Sequence, residues 1–353
     1  MPILARMLPS PMFVDIRAGA VAALGEVLQD RFISPSGKVL VAVGPSQGER
    51  IWSTVRPSMP DAGVFAVEDA SLTSAGRLQE ALSERGYDAV VGIGGGRTLD
   101  VAKYAATRAG VPMVAVATNL AHDGICSPVA SLLHRHGKGS YGVSMPLAVL
   151  VDLDYVRSAP ARLVRAGIGD VLSNLSAIED WLLAQRERGE RVDGLAIAFA
   201  RTAAEAVLHR SDGVDSDDFL VVLAEALVLS GMAMSVAGTS RPCSGACHEI
   251  IHAVDGLFPG VSNHGELAGI GALFASFLRT DRARFDQISD CLARHGLPRT
   301  PGDVGLDEDQ FTRAVLAAPG TRPDRYTVLE HLALGERETR AAVADFVSHL
   351  APG

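Results

Sequence analysis

Hydrophobic and polar positions follow two different patterns along the chain. Up to about residue 155, short β-branched runs appear at 39–43, 64–67, 89–93, 114–117 and 148–151, with helix-period segments such as 74–85 and 98–109 between several of them. Strand, helix, strand in this rhythm predicts parallel strands joined by crossover helices. After Tyr155 the strand signals fade. Helical periodicity covers 161–186, 194–209, 217–237, 243–255, 266–278 and 282–294, broken by Pro259-Gly260 and Pro301-Gly302. The pattern predicts an α/β domain with a parallel sheet over residues 1–160 and an all-helical domain over 161–353.

Composition fits this division. The chain has 353 residues, 48% hydrophobic and only 5% aromatic, so aliphatic residues and alanine must fill two cores. A net charge of −9 argues against a nucleic-acid partner, which requires a basic face. It leaves room for a small phosphorylated ligand, because a few local cations or a helix N-terminus suffice. Four cysteines without a CxxC pair suggest neither a disulfide scaffold nor a thiolate metal site, and point to a reducing, cytoplasmic setting. The N-terminal stretch MPILARMLPSPMF lacks the long apolar core of a signal peptide. Residues 219–238 carry one charge, Glu225, and approach the length of a spanning helix. They lack flanking basic clusters and aromatic anchors, so a helix buried in a helical core is expected rather than a membrane span.

Two loops in the first half carry candidate binding chemistry. The segment Val90-Val91-Gly92-Ile93-Gly94-Gly95-Gly96-Arg97-Thr98-Leu99-Asp100 runs from strand through loop into helix. Consecutive glycines let backbone approach a ligand, and amides opening the helix can cradle a pyrophosphate. The Rossmann fingerprint would place a third glycine at Arg97, so this is a different motif suited to the same task. The second loop, 118–127, follows the next strand, where an open α/β sheet binds its ligands. Thr118, Asn119, His122, Asp123 and Ser127 supply polar groups there, although an ordinary polar turn would contain the same residue types.

In the second half, Asp170 follows Gly167-Ile168-Gly169, the run 248–252 reads His-Glu-Ile-Ile-His, and His264 lies in Asn263-His264-Gly265-Glu266. Two imidazoles and a carboxylate suit a catalytic divalent metal with open coordination positions, Zn²⁺ or Fe²⁺. Spacing alone does not select the ligands. His248 and His252 share a helix face, and HExxH is also the zincin pattern, in which both histidines bind zinc. A nucleotide-type α/β domain ahead of it argues against a protease.

These segments resemble the sn-glycerol-1-phosphate dehydrogenase family, within the iron-containing alcohol dehydrogenase and dehydroquinate synthase-like superfamily. The matching pieces are GIGGGRTLDVAKYAA, ATNLAHDGICSP, AVLVDLDYVRSAPARLVRAGIGDVLSN, LSGMAMSVAGTSRPCSGACHEIIHAVD and NHGELAGIG, in order between about residues 38 and 275. The resemblance implies a dehydroquinate synthase-like fold and a metal- and NAD- or NADP-dependent oxidoreductase of phospholipid metabolism. Its expected reaction is reduction of dihydroxyacetone phosphate to sn-glycerol 1-phosphate.

The resemblance also assigns residues. Asp170, His248 and His264 would bind the metal. His252 and Asp123 would lie at the substrate as catalytic groups, with Asp170 beside them. Gly94, Gly95, Gly96, Arg97, Thr98, Leu99, Asp100, Thr118, Asn119, Leu120, Ala121 and Ser127 would form the dinucleotide site. The chain departs from the family's Thr-Ala-Ala-Ser-His-Asp at Asn119-Leu120-Ala121, and from its acidic residue before the first metal histidine at Cys247. These departures leave the reaction class intact and bear on the substrate; the alternatives are a related dehydrogenase acting on glycerol or another polyol or sugar phosphate, a dehydroquinate synthase-like cyclase, and a degenerate member that only binds nucleotide, which the three filled ligand positions disfavour. Such cyclases carry Glu at the first ligand position, which Asp170 disfavours. A homo-oligomer is compatible with the sequence.

Overall fold

The computed structural model describes residues 8–30, 33–135 and 137–351. The start of the stretch examined for a signal peptide, residues 1–7, lies outside them. The chain forms two compact units, Met1–Ala161 and Arg162–Gly353.

The first unit contains strands β1 (Phe13–Arg17), β2 (Val39–Val43), β3 (Gly63–Ala66), β4 (Ala89–Gly94), β5 (Met113–Ala117), β6 (Val129–His134), β7 (Gly137–Gly142) and β8 (Ala148–Asp152). Its helices are α1 (Leu24–Asp30), α2 (Gln47–Val55), α3 (Leu72–Arg85), α4 (Gly96–Ala109) and α5 (Leu153–Ser158). Six strands form one parallel sheet in the order β1-β8-β5-β4-β2-β3. Every residue of β2, β4, β5 and β8 is buried, as expected of parallel strands covered on both faces. These four are the runs that sequence patterning marks most clearly.

The edge strands are less regular. β3 begins at Gly63 rather than Val64, and β1 escapes sequence detection: five residues with mixed burial carry little periodic signal. The antiparallel hairpin β6–β7 was also unexpected, because GKGSYG in β7 has neither apolar alternation nor β-branched residues. α3 starts where the Ser71 hydroxyl accepts the Ser74 N–H, and both α3 and α4 end at glycines in the left-handed region, Gly86 and Gly110.

After β2 the chain steps outward to β3, then returns to the other side of β2 as β4. The strand order therefore reverses between β2 and β4. Ligands of open α/β sheets bind at the carboxyl ends of strands flanking such a point. Here those ends are Val43-Gly44 and Gly94.

The second unit is helical: α6 (Ala161–Arg188), α7 (Gly194–Leu208), α8 (Asp217–Ala237), α9 (Ala246–Leu257), α10 (His264–Leu278), α11 (Arg282–Arg294), α12 (Glu308–Ala317), α13 (Val328–Leu332) and α14 (Glu336–Leu350). α8 covers the apolar stretch weighed as a membrane span. It is long and apolar enough to cross a membrane, but 61% of its most apolar window is buried within the protein, and its charge, Glu225, is exposed. α7 is its main packing partner. Phe274, Phe277, Phe285, Phe311 and Phe346 make edge-on and tilted ring contacts that join α10, α11, α12 and α14.

Candidate active site

Buried glycines bring the metal-binding candidates together in the second unit. A Cβ at Gly169 on α6 would run into the backbone carbonyl of Gly265, so glycine lets the first turn of α10 lie against α6. A Cβ at Gly245 would meet the Asp180 carboxylate and stand 3.0 Å from Ala177 Cα, which admits the start of α9 to the same helix. A Cβ at Gly271 would lie 2.9 Å from Cys247 Cα, so α9 and α10 also approach closely.

Two buried carboxylates hold these ends in place. Asp180 accepts the N–H of Ala246 at 2.7 Å and of Val328 at 2.8 Å, and pairs with Arg279. Glu266 takes the Arg162 guanidinium in a fork, 2.7 Å to each oxygen, and accepts from Ser262 Oγ and the Asn263 N–H. Asn263 and Glu266 form a capping box that starts α10 at His264, two residues earlier than periodicity indicated. Likewise, α9 starts at Ala246 rather than Cys243, because Asp180 caps it from a distant segment.

The result is a cluster of Asp170, His248 and His264 whose ligand atoms all lie within 4.8 Å of one another. His264 Nε2 is 3.2 Å from His248 Nε2 and 3.5 Å from Asp170 Oδ1. Ligand atoms bound at about 2.0–2.1 Å on a tetrahedral ion stand roughly 3.4 Å apart. The cluster therefore fits one divalent ion.

Its protonation fits as well. Burial, with His252, Arg325 and Arg322 nearby, pushes His248 down to about 3, which keeps the ring neutral. The Cys247 thiol, pushed up to about 12 by burial, donates to Ser173 O, and its sulfur lies 3.3 Å from His248 Nδ1. A ring that donates Nδ1–H to this sulfur leaves its Nε2 lone pair facing His264 and Asp170. Cys247 thus contacts the His248 ring on the side away from the cluster.

The cluster does not include His252. Arg322 Nη2 donates to His252 Nε2 at 3.1 Å, and a guanidinium can only donate, so Nε2 is the acceptor and the neutral ring carries its proton on Nδ1. Glu249, which would be the base in a zincin, is fully buried; burial raises it to about 9, and its Oε2 accepts from Thr327 Oγ1 at 3.0 Å. Among the described residues, His248 groups with Asp170 and His264 rather than with His252. Arg322 had no signal in the sequence, since it lies 70 residues from its partner.

In the first unit, β4 runs through Gly95 directly into α4, with no side chain capping the helix. Its first amides have no intrahelical acceptor. The second loop presses on this turn. A Cβ at Gly96 would strike the His122 ring, one at Gly95 would lie 2.8 Å from Asn119 Nδ2, and one at Gly94 would collide with Thr98. Thr118 N–H donates to Gly94 O at 3.1 Å, and the His122 ring is fixed by Gly124 N–H donating to Nδ1 at 3.0 Å. A further loop, residues 44–46, joins them: Gly44 N–H donates to Ile93 O at 2.9 Å, and a Cβ at Gly44 would strike Thr98. Sequence reading overlooked this loop, although its Gly-Pro-Ser composition after a strand is a turn signal.

Several residues expected at the dinucleotide site also make structural contacts. Leu99 and Leu120 are fully buried, leaving only backbone to offer a ligand, and Thr98 is nearly so. Asp100 pairs with the buried Lys103 at 2.9 Å and accepts Ser131 N–H at 3.0 Å, while Lys103 also reaches Ser127 Oγ at 3.4 Å. This group ties α4 to β6. Arg97 and Asn119 keep exposed surface, as does Ala121.

Gly96→Ala is predicted to raise the KM for NAD(P)H about tenfold or more, since the displaced His122 ring and the strained turn cost ~1–3 kcal/mol. Steady-state titration of each nucleotide checks this; an unchanged KM would mean that the turn does not hold the cofactor.

The profile of the family Iron-containing alcohol dehydrogenase matches residues 15–160. A glycerol-1-phosphate dehydrogenase, NAD(P)+, of Hyperthermus butylicus is 37% identical, covering 90% of this chain and 92% of its own. The chain belongs to the glycerol-1-phosphate dehydrogenase family. Family members of the same description from Thermofilum pendens and Methanosarcina mazei are 38% and 32% identical over 92% and 98% of this chain, and 94% and 98% of theirs. Among solved structures, a probable glycerol dehydrogenase from Sinorhizobium meliloti superposes with a TM-score of 0.78 at 24% identity, covering 98% of this chain and 99% of its own. Maleylacetate reductase from Agrobacterium tumefaciens gives 0.75 at 16% identity with full coverage of both chains. At these identities they show a shared fold: the iron-containing alcohol dehydrogenase and dehydroquinate synthase-like architecture.

Proposed function

We propose that this chain is a metal-dependent, NAD(P)-linked oxidoreductase that reduces dihydroxyacetone phosphate to sn-glycerol 1-phosphate in the cytoplasm. The observation that carries this reading is the convergence of Asp170, His248 and His264 in a chain whose family relatives bear that activity in their names. Bound NAD(P)H supplies the hydride, and a divalent ion on the three ligands supplies Lewis acidity at the carbonyl oxygen.

The protein's own groups do the rest. Asp170 contributes the negative charge of the ligand set, and His248 and His264 contribute neutral imidazoles. The amides at 95–97 would hold the pyrophosphate, helped by the positive end of α4, and Thr118, Asn119 and the backbone of Leu120 and Ala121 would hold the rest of the dinucleotide. His252 delivers the proton that the reduced oxygen requires. Asp123 accepts a hydrogen bond from a substrate hydroxyl and so orients the carbonyl. Stereochemical analysis of the product tests the reading: the account predicts sn-glycerol 1-phosphate, whereas sn-glycerol 3-phosphate or free glycerol as the preferred product refutes it.

Asp123 also sets a pH dependence. Burial pushes its carboxyl up to about 6; Asp100 adds to the rise and Lys103 opposes it. The ionised form is the acceptor, so kcat/KM is expected to fall as pH drops through about 6 and to level off above it. Asp123→Asn should lower the plateau and remove that acidic limb. A limb that persists unchanged in the variant would assign it to another group.

A further inference from the structure

We propose that Lys103 is a positioning residue for the reaction: it fastens the loop that carries Asp123 to α4, the helix that opens at the nucleotide turn. The inference rests on the reading of Asp123 as the group that meets the substrate, and it names what holds that group in place.

Lys103 lies about two turns into α4 from Gly96 and is fully buried. A buried ammonium has three N–H groups to satisfy. Its Nζ is 2.9 Å from Asp100 Oδ1 and donates to Val129 O at 2.5 Å and to Ser127 O and Oγ at 3.3 and 3.4 Å. Every acceptor except Asp100 belongs to the stretch that follows Asp123. Ser127 N–H and Cys126 N–H in turn both donate to Asp123 O at 3.0 Å. Asp100 holds the next point, accepting Ser131 N–H at 3.0 Å. Ahead of Asp123, the His122 ring packs so closely on Gly96 that a Cβ there would strike it. The loop is therefore pinned to α4 on both sides of Asp123.

A buried ion pair contributes little to folding, because desolvating two charges offsets most of their attraction. Apolar side chains would fill the same space at no such cost. A lysine kept there acts on its surroundings through charge and direction. Among the described residues, the groups that act on Asp123 are Lys103 and Asp100 on α4, and its loop also carries His122 and Cys126, with Lys138 of β7 acting on His122. Burial disfavours the charged form of His122 and pushes Cys126 up to about 12. Lys103 favours the ionised Asp123 carboxyl, and Asp100 opposes it less strongly.

The test follows kcat/KM for dihydroxyacetone phosphate against pH in wild type, Lys103→Met, Lys103→Arg and the double variant Asp100→Asn/Lys103→Met, each first checked for melting temperature and bound metal. Without Lys103 the carboxylate loses an attraction and takes its proton at higher pH. The acidic limb should therefore move up by about one pH unit in Lys103→Met, and by less in the double variant, which also loses the opposing Asp100. Lys103→Arg keeps the charge and should hold the limb close to its wild-type position. The plateau should fall roughly 10- to 100-fold in both Met variants as the loop shifts, while KM for the nucleotide changes less than about threefold. If Lys103→Met does not fold, the double variant, which strands no buried charge, decides. A limb unmoved in the folded Met variants, or moved as far by Lys103→Arg, would overturn the proposal, as would a rise in nucleotide KM that accounts for the loss. A limb that survives Asp123→Asn refutes the reading of Asp123 itself, a result distinct from a Lys103 variant that leaves the Asp123 limb where it was.

Discussion

Asp170→Ala and His264→Ala are each expected to reduce turnover by about three orders of magnitude or more and to release the bound metal. Both residues sit at the contact between α6 and α10, 3.5 Å apart, and each offers one of the three atoms that could hold a metal ion. Losing Asp170 removes the only anionic ligand, and the two remaining neutral imidazoles do not offset the charge of a divalent ion. Losing His264 removes the atom that lies 3.2 Å from His248 Nε2 and 3.5 Å from Asp170 Oδ1. Metal content by elemental analysis should fall from about one ion per chain to well below that. Either variant retaining wild-type turnover and a full complement of metal would show that the cluster is not the metal site.

A second large effect is predicted away from the metal. Asp180→Ala should destabilise the helical unit by ~3–5 kcal/mol, the range for removing one partner of a buried charge pair. Asp180 is fully buried and joins three separate segments: the start of α9, the start of α13 and Arg279 at the end of α10. Its loss strands the Arg279 guanidinium, which is only 14% exposed, and leaves two helix-end amides without acceptors. The start of α9 carries Cys247 and His248, so metal affinity should fall with stability. Denaturant titration with and without added Zn²⁺ checks both parts. Unchanged stability would mean that packing alone sets the approach of α6 and α9, through Gly245.

How much of this was legible in the sequence depends on how locally each feature is encoded. β2, β4, β5 and β8 are covered on both faces, so each is a continuous apolar run that reads directly. β1 and β3 lie at the edges and alternate irregularly, and β7 is mostly glycine, serine and lysine, so their strand character comes from pairing rather than pattern. Helix interiors were legible for the same reason, whereas the starts of α9 and α10 were displaced by two or three residues. For α9 the cap is a side chain 66 residues away. For α10 the signal was local, Asn263 followed three residues later by Glu266, and apolar periodicity outweighed it.

The candidate site divides in a similar way. Residue types and motif order marked Asp170, His248 and His264, but only three-dimensional packing brings them together, through Gly169, Gly245 and Gly271. The HExxH ambiguity had to be resolved in space: Glu249 is buried against Thr327, and His252 meets Arg322 instead of joining the cluster. Asp100 and Ser127, expected beside the cofactor, also bond the buried Lys103, a link that short-range sequence does not reveal. Residues 44–46 and Arg322 come from segments far apart in the chain and lie outside any recognisable motif.

The central claim is that a divalent metal on Asp170, His248 and His264 and a nicotinamide cofactor together reduce a phosphorylated ketone. The most direct measurement is steady-state oxidation of NADH and NADPH by the purified protein with dihydroxyacetone phosphate, dihydroxyacetone and several ketose phosphates, before and after chelation and again after adding Zn²⁺. The account predicts rapid oxidation with dihydroxyacetone phosphate above all other substrates, loss on chelation and recovery with metal. Full activity in the chelated protein, or no oxidation with dihydroxyacetone phosphate while another ketone is turned over, would contradict it.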